Sequence, residues 1–259
     1  TDVRGCGTAL VTPFTENGTI DKEALEKLVE FQVSNSIDFL VPCGTTGESA
    51  TLSVEEQLQV IDTVKTAAGG RVPVVAGAGG YNTAEVIERA LEIEKLGVDA
   101  LLSVTPYYNK PTQEGLYRHY RAIAEKVDTP IILYNVPGRT KCNMLPDTVV
   151  RLAQLPNIAG LKAASGDIEQ IAETAVKRPQ GFRIFSGNDS NTLAVIAHGG
   201  DGLISVISNQ APALTAELVH LCLEEKYVKA RALFETLFPL MKLNFIETNP
   251  IPVKTGVAM

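Results

Sequence analysis

Ile158-Ala159-Gly160-Leu161-Lys162-Ala163-Ala164-Ser165-Gly166 sets one amine at the end of a short apolar run. A run of this length, closed by small turn residues, reads as a strand buried on both faces. Five runs of the same kind precede it, at 8–11, 39–42, 73–76, 100–104 and 131–134, and two follow, at 183–185 and 202–206. Helical patterns alternate with them. Residues 21–33 bring Leu25, Leu28, Val29 and Gln32 to one face behind Asp21, a good N-cap. Ser53 with Glu56 forms a capping box, and Thr83 caps a helix running to Leu96 that Gly97 closes. Further helices are expected at 112–127, at 146–154, from Asp167 onward and at 191–197.

Eight near-continuous apolar strands, repeating every 25 to 30 residues or roughly so, predict an α/β fold. A closed (β/α)8 TIM barrel suits that repeat better than an open doubly wound sheet. After Pro212 only helical patterns remain, at 213–225 and 229–245. The expected organisation is a barrel domain over 1–212 and a C-terminal helical extension over 213–259.

The 259 residues are 45% apolar and 20% charged, enough to bury one large core. The longest apolar runs fall well short of the roughly 20 residues that cross a membrane, and no basic, apolar leader opens the sequence. A formal net charge of -7 argues against nucleic acid, which calls for a clustered basic face. Cys6, Cys43, Cys142 and Cys222 are widely spaced, with no Cys-x-x-Cys pair and no histidine at zinc-ligand offsets. They read as free, buried thiols, Cys43 being notable beside a glycine loop, and they suit a reducing cytoplasm. His119, His198 and His220 fall in expected helices and read as structural or solvent-facing.

Barrel chemistry lies on the loops that follow the strands. The strand ends collect Thr45, Thr46, Tyr107, Tyr108, Tyr134, Arg139, Lys162, Gly187 and Ile204. Burial disfavours a charged amine, and a neutral one attacks carbonyl carbon to form an imine, which is the role open to Lys162. Tyr134, on the neighbouring strand, can pass protons between the carbinolamine and imine steps. The 44–48 loop offers successive N–H groups and two hydroxyls to a carboxylate, and Arg139, behind a Pro-Gly turn, offers a bidentate clamp to a second. Singly these are an ordinary strand-end lysine, a packing tyrosine, a βα turn and a surface arginine. Together they describe a site for a keto acid and another carboxylate-bearing substrate, with neither metal nor cofactor needed.

Six motifs sharpen this reading. Gly44-Thr45-Thr46-Gly47-Glu48, Thr105-Pro106-Tyr107-Tyr108-Asn109-Lys110-Pro111, Tyr134-Asn135-Val136-Pro137-Gly138-Arg139-Thr140, Gly160-Leu161-Lys162, Ser186-Gly187-Asn188-Asp189 and Asn249-Pro250-Ile251-Pro252-Val253-Lys254 stand in order along nearly the whole chain. The sequence closely resembles the 4-hydroxy-tetrahydrodipicolinate synthase (dihydrodipicolinate synthase) family, within the N-acetylneuraminate lyase superfamily. The resemblance implies a class I lyase of lysine and diaminopimelate biosynthesis that condenses pyruvate with L-aspartate 4-semialdehyde. It implies that Lys162 forms the Schiff base and that Tyr134, Thr45 and Tyr108 relay protons, Tyr108 reaching a neighbouring subunit's site. Thr45 and Thr46 would hold the pyruvate carboxylate and Arg139 that of the semialdehyde. Gly187 would leave room at the pocket wall, and the Ile204 carbonyl would face the pyruvate methyl group. A homo-oligomer is implied, a tetramer built as a dimer of dimers, consistent with paired tyrosines that a partner would cover.

Three departures from the family pattern stand out. Many members have an acidic residue after the Schiff-base lysine, where this chain has Ala163. Ser49, Ala50, Glu85 and Tyr107 match the allosteric pocket of lysine-inhibited members, but Val54, Gln57 and Tyr81 replace polar or imidazole groups, so weak or absent feedback by lysine is expected. The sequence stops at Met259, shortly after the Asn-Pro-Ile-Pro motif, where the family continues into another helical segment, so an incomplete extension is expected. The runner-up reading is N-acetylneuraminate lyase or another pyruvate-dependent sugar-acid aldolase. A phosphate-binding barrel would rest on Gly199-Gly200-Asp201-Gly202, which precedes its strand and so belongs to the stability face. A non-catalytic regulatory barrel would call for loss of Lys162 or Tyr134, and both are present.

Overall fold

The computed structural model describes residues 3–259, so the first two residues of the expected barrel range lie outside it. The eight strands are β1 Gly5–Ala9, β2 Phe39–Val41, β3 Val75–Gly77, β4 Ala100–Val104, β5 Ile131–Asn135, β6 Ile158–Ala163, β7 Arg183–Ser186 and β8 Gly202–Ser205. Their hydrogen-bonded order is β2-β1-β8-β7-β6-β5-β4-β3, every pairing parallel, and a parallel bridge between Leu40 and Val74 closes β2 onto β3. The expected (β/α)8 barrel is the observed fold.

Alternation along the strands divides the core into two layers. Phe39, Val75, Leu102, Ile132, Phe185 and Ile204 fill the barrel interior, where the rings of Phe39 and Phe185 meet edge to face at 5.5 Å. The opposite face packs against the helices. Helix Lys22–Ser34 buries Leu25, Leu28, Val29 and Gln32, the four positions its periodicity selects, with Asp21 accepting from the Ala24 amide. Each such apolar side chain contributes about 1.5–3 kcal/mol on full burial. The capping box of Ser53 and Glu56 opens helix Val54–Ala68.

Four local expectations shift. The first strand lies at Gly5–Ala9 and not at 8–11, with Gly5 paired to Gly202 and Gly7 to Phe39, where a Cβ on Gly7 would stand 2.1 Å from the Phe39 ring. Glycines that weaken the local strand signal are the residues the interior requires. Asn82, one residue earlier than expected, caps helix Thr83–Glu94 through its side chain. Arg139 sits in a one-turn helix, Pro137–Thr140, where a turn was expected. Helix Pro212–Leu223 packs on β1 and β8, and helices Tyr227–Leu243 and Ile251–Ala258 follow it, the last unexpected from the sequence pattern.

All four cysteines are free and buried, and burial pushes the Cys43 thiol up to about 12, so its place beside the glycine loop does not make it a nucleophile. His119 lies within helix Gln113–Ala124 and His220 within Pro212–Leu223, while His198 follows helix Thr192–Ala197. No helix among the described residues is long and apolar enough to cross a membrane, and among them no three His, Cys, Asp or Glu side chains group as a metal site.

Candidate active site

Parallel register sets the central pair. Tyr134 on β5 stands opposite Lys162 on β6, and Lys162 stands opposite Phe185 on β7. The Lys162 amine lies 4.4 Å from the centroid of the Tyr134 ring, and the lysine is only 5% exposed. The ring face is its cationic contact, and no described residue offers it a hydrogen bond. Ala163 points the other way, into the layer under the helices, so a carboxylate at this position would not reach the barrel interior.

A buried carboxylate does lie within reach of the Lys162 charge. Asp189, two residues beyond Gly187, is 2% exposed and accepts from Ser205 Oγ and from the amides of Val206 and Ile207. Burial pushes its carboxyl up, while those bonds and the charge of Lys162 pull it back. By holding 205–207, Asp189 anchors the end of β8, where the Ile204 carbonyl lies. Asp189 closes the Ser186-Gly187-Asn188-Asp189 motif, and its burial, which no spacing reveals, marks it as an anchor. Gly187 is confined, since a Cβ there would meet Ala164 Cβ at 2.7 Å and Lys162 Cγ at 3.2 Å.

The 44–48 loop is less of an anion nest than its composition suggests. The amides of Gly47 and Ser49 bond to the Gly44 carbonyl and that of Glu48 to Thr45, which leaves the Thr45 and Thr46 amides without a protein acceptor among the described residues. Cys43 and Glu48 take left-handed backbone conformations, φ 54° and 58°, on either side of those two threonines. A cleft of about 380 Å³ opens above the loop, walled by Thr45, Ser49, Ala50, Tyr107, Arg139 and Asn249 among others. Beneath it a cavity of about 40 Å³ reaches Tyr134. Neither wall includes Lys162, which is met across the tyrosine ring.

Tyr108 does not join the site within one chain: it is 90% exposed, on a left-handed backbone of φ 58°. Its neighbour Tyr107 packs edge to face on Tyr81 at 5.1 Å. Ser49, Ala50 and Tyr107 share the rim cleft, whereas Glu85 lies with Val54 and Arg89 in an adjoining pocket. Gln57 spends its amide donors on the carbonyls of Ser49 and Leu52.

The C-terminal motif also enters the site. The Asn249 amide donates to Thr46 Oγ1 at 2.9 Å, its carbonyl accepts from Arg139 Nη2 at 2.9 Å, and Lys254 pairs with Glu48 at 2.6 Å. Asn249 stands 203 residues from Thr46, and no spacing rule connects them.

A (β/α)8 barrel with a buried lysine on its sixth strand, facing a tyrosine on its fifth, carries the groups that a Schiff-base-forming lyase uses. Within that class the chain belongs to the dihydrodipicolinate synthetase family, whose model matches residues 2–259. It is 52% identical over 258 residues to the 4-hydroxy-tetrahydrodipicolinate synthase of Koribacter versatilis, covering 99% of this chain and 86% of that protein. The crystal structure of dihydrodipicolinate synthase from Aquifex aeolicus superposes with a TM-score of 0.97 at 44% identity, covering 99% of this chain and 88% of that one. A structure described as the first monomeric dihydrodipicolinate synthase variant superposes with a TM-score of 0.95 at 46% identity, covering 97% and 85%.

Proposed function

We propose that the chain condenses pyruvate with L-aspartate 4-semialdehyde to give 4-hydroxy-tetrahydrodipicolinate, an early step of lysine and diaminopimelate biosynthesis. The observation that carries this reading is the register of Tyr134 against Lys162, with the amine over the ring and no competing carboxylate bound to it. The Lys162 amine adds to the keto carbon of pyruvate, and loss of water leaves an iminium. Loss of a methyl proton gives the enamine, whose carbon attacks the aldehyde carbon of the second substrate; the amino group of that substrate then adds to the iminium carbon, closing the ring and releasing the Lys162 amine. Tyr134 passes protons between these steps, with Thr45 and Tyr108 completing the relay. The Thr45 and Thr46 amides and hydroxyls receive the pyruvate carboxylate, Arg139 the semialdehyde carboxylate, Gly187 leaves room beside the lysine stem, and the Ile204 carbonyl faces the pyruvate methyl group.

Borohydride reduction in the presence of pyruvate should add mass to the peptide containing Lys162. An unmodified peptide would remove the Schiff base and with it the reading. N-Acetylneuraminate is expected to give no turnover, which separates this activity from the sugar-acid aldolases.

A second copy completes the site in this reading, because Tyr108 stands off the barrel and the Tyr81–Tyr107 pair leaves an aromatic face at the rim. A dimer of dimers is expected in sedimentation, with monomer alone as the contrary result. Four free buried thiols suit the cytoplasm. Feedback by lysine is weak or absent: Val54 lacks a polar atom, Gln57 has spent its donors, and the Tyr81 ring is packed on Tyr107. Half-inhibition below about 1 mM lysine, roughly 4 kcal/mol of binding, would contradict this.

A further inference from the structure

The Asn-Pro-Ile-Pro motif has no part in the mechanism above, yet its first residue touches both carboxylate-holding groups. Asn249 is 6% exposed. Its side-chain amide reaches Thr46 Oγ1, in a contact that is itself buried, and its main-chain carbonyl takes a bond from the Arg139 guanidinium. Helix Ile251–Ala258 starts immediately afterwards, and Lys254 on that helix is paired with Glu48, so the segment is pinned to the rim at two points.

We propose that Asn249 is a positioning residue which orients Thr46 toward the pyruvate carboxylate through its side chain and Arg139 toward the second carboxylate through its backbone. The inference rests on the activity proposed above.

The Thr46 hydroxyl has a single proton to give. When Thr46 Oγ1 accepts from the Asn249 amide, its own O–H is not spent inside the protein and points to a substrate oxygen. An acceptor at position 249 would reverse this by taking the Thr46 proton. The Asn249 Oδ1 atom is buried and has no partner among the described residues, so the one hydrogen bond of this side chain is the one its amide gives to Thr46. Arg139 is constrained differently. Its guanidinium has five N–H donors, and one bond to a backbone carbonyl fixes its plane while leaving the others for a bidentate carboxylate.

Pyruvate capture by Lys162, followed as borohydride-trapped mass against pyruvate concentration, reads carboxylate binding without turnover. Asn249→Ala should raise the half-saturating pyruvate concentration about five-fold, the size of one net hydrogen bond. Asn249→Asp, though isosteric, should raise it further, because a carboxylate takes the Thr46 proton and repels the anion. The double variant Asn249→Ala with Thr46→Val should bind pyruvate as Thr46→Val alone does, since the amide acts through that hydroxyl. The KM for the semialdehyde should move less than two-fold in all Asn249 variants, which keep the carbonyl. The proposal is overturned if Asn249→Asp is milder than Asn249→Ala, if the single-variant shifts multiply in the double variant, or if both substrates are affected equally. Failure of the unaltered protein to trap pyruvate at any concentration is a different result, and it removes the lyase reading itself.

Discussion

At the N-terminal ends of the strands, Asp201 accepts from Arg178, Arg183 and the Ile184 amide, Asp99 from Lys65 and the Val74 amide, and Asp38 from the Cys6 amide and His220. At the C-terminal ends, Lys162 has a ring face, Arg139 a carbonyl, and the Thr45 and Thr46 amides nothing. Cys43, Glu48 and Tyr108 add left-handed backbones at that rim, a conformation worth about 1–3 kcal/mol of strain at non-glycine positions. One end satisfies its charges within the fold, and the other leaves donors for a ligand to satisfy. The contrast matches the division of a (β/α)8 barrel into a stability face and a reaction face.

Lys162→Ala gives the largest expected effect and the sharpest test of that division. Turnover should fall at least about a thousand-fold, because the covalent step has no substitute. The melting temperature should hold or rise, since a buried amine without an acceptor is removed. A steep loss of melting temperature would make Lys162 part of the scaffold and erase the contrast. Tyr134→Phe keeps the ring under the amine and removes only the phenol. Turnover should drop about a hundred-fold, the low end for a positioned acid–base group, with trapping of pyruvate slowed in parallel.

Asp201→Ala addresses the opposite end. Its carboxylate is buried, but the Arg178 and Arg183 side chains are 22% and 29% exposed, so the loss should fall below that of a fully buried pair. A destabilisation of about 2 kcal/mol, or roughly 4–8 °C in melting temperature, is expected. Pyruvate trapping should be unchanged at temperatures where the protein stays folded. An altered half-saturation for pyruvate would show that the two ends are coupled.

The barrel was legible because strand and helix periods are local signals, repeated eight times, and Asp21, Ser53 and Asp167 cap as their chemistry dictates. Lys162, Tyr134 and Arg139 could be grouped once strand ends were known to share a rim. The illegible part is long-range or depends on packing. Gly5 and Gly7 hide β1, because what they accommodate, Phe39 and Asp38, lies over thirty residues away. Asn249 meets Thr46 only after the helical extension folds back over the barrel, and Asp189 matters through burial that no spacing reveals. In the glycine loop the turns consume the Gly47 and Glu48 amides and leave the successive Thr45 and Thr46 amides, a selection that composition alone does not make.

The smallest expected effect separates two histidines, one near each end. His119 packs under the rim, with Thr83 Oγ1 on Nδ1 and no partner for Nε2 among the described residues, and burial pulls it down to about 4. The unfolded chain binds this proton from about pH 6.5 downward while the folded chain resists it, so stability declines as pH falls toward 4, by at most about 1.4 kcal/mol per unit. His220 has the opposite sign. Its bond to Asp38 raises it above the ordinary histidine value, so the pair stabilises fully below about pH 6.5 and the contribution is lost as pH rises through the raised value. With the His220 side chain 40% exposed, solvent screening keeps this under about 1 kcal/mol. Thermal melts of His220→Gln against the unaltered protein should therefore differ most near pH 6 and converge toward pH 9. A difference independent of pH would show that His220 serves the matched end by packing alone, whereas His119→Gln should change only the acid limb.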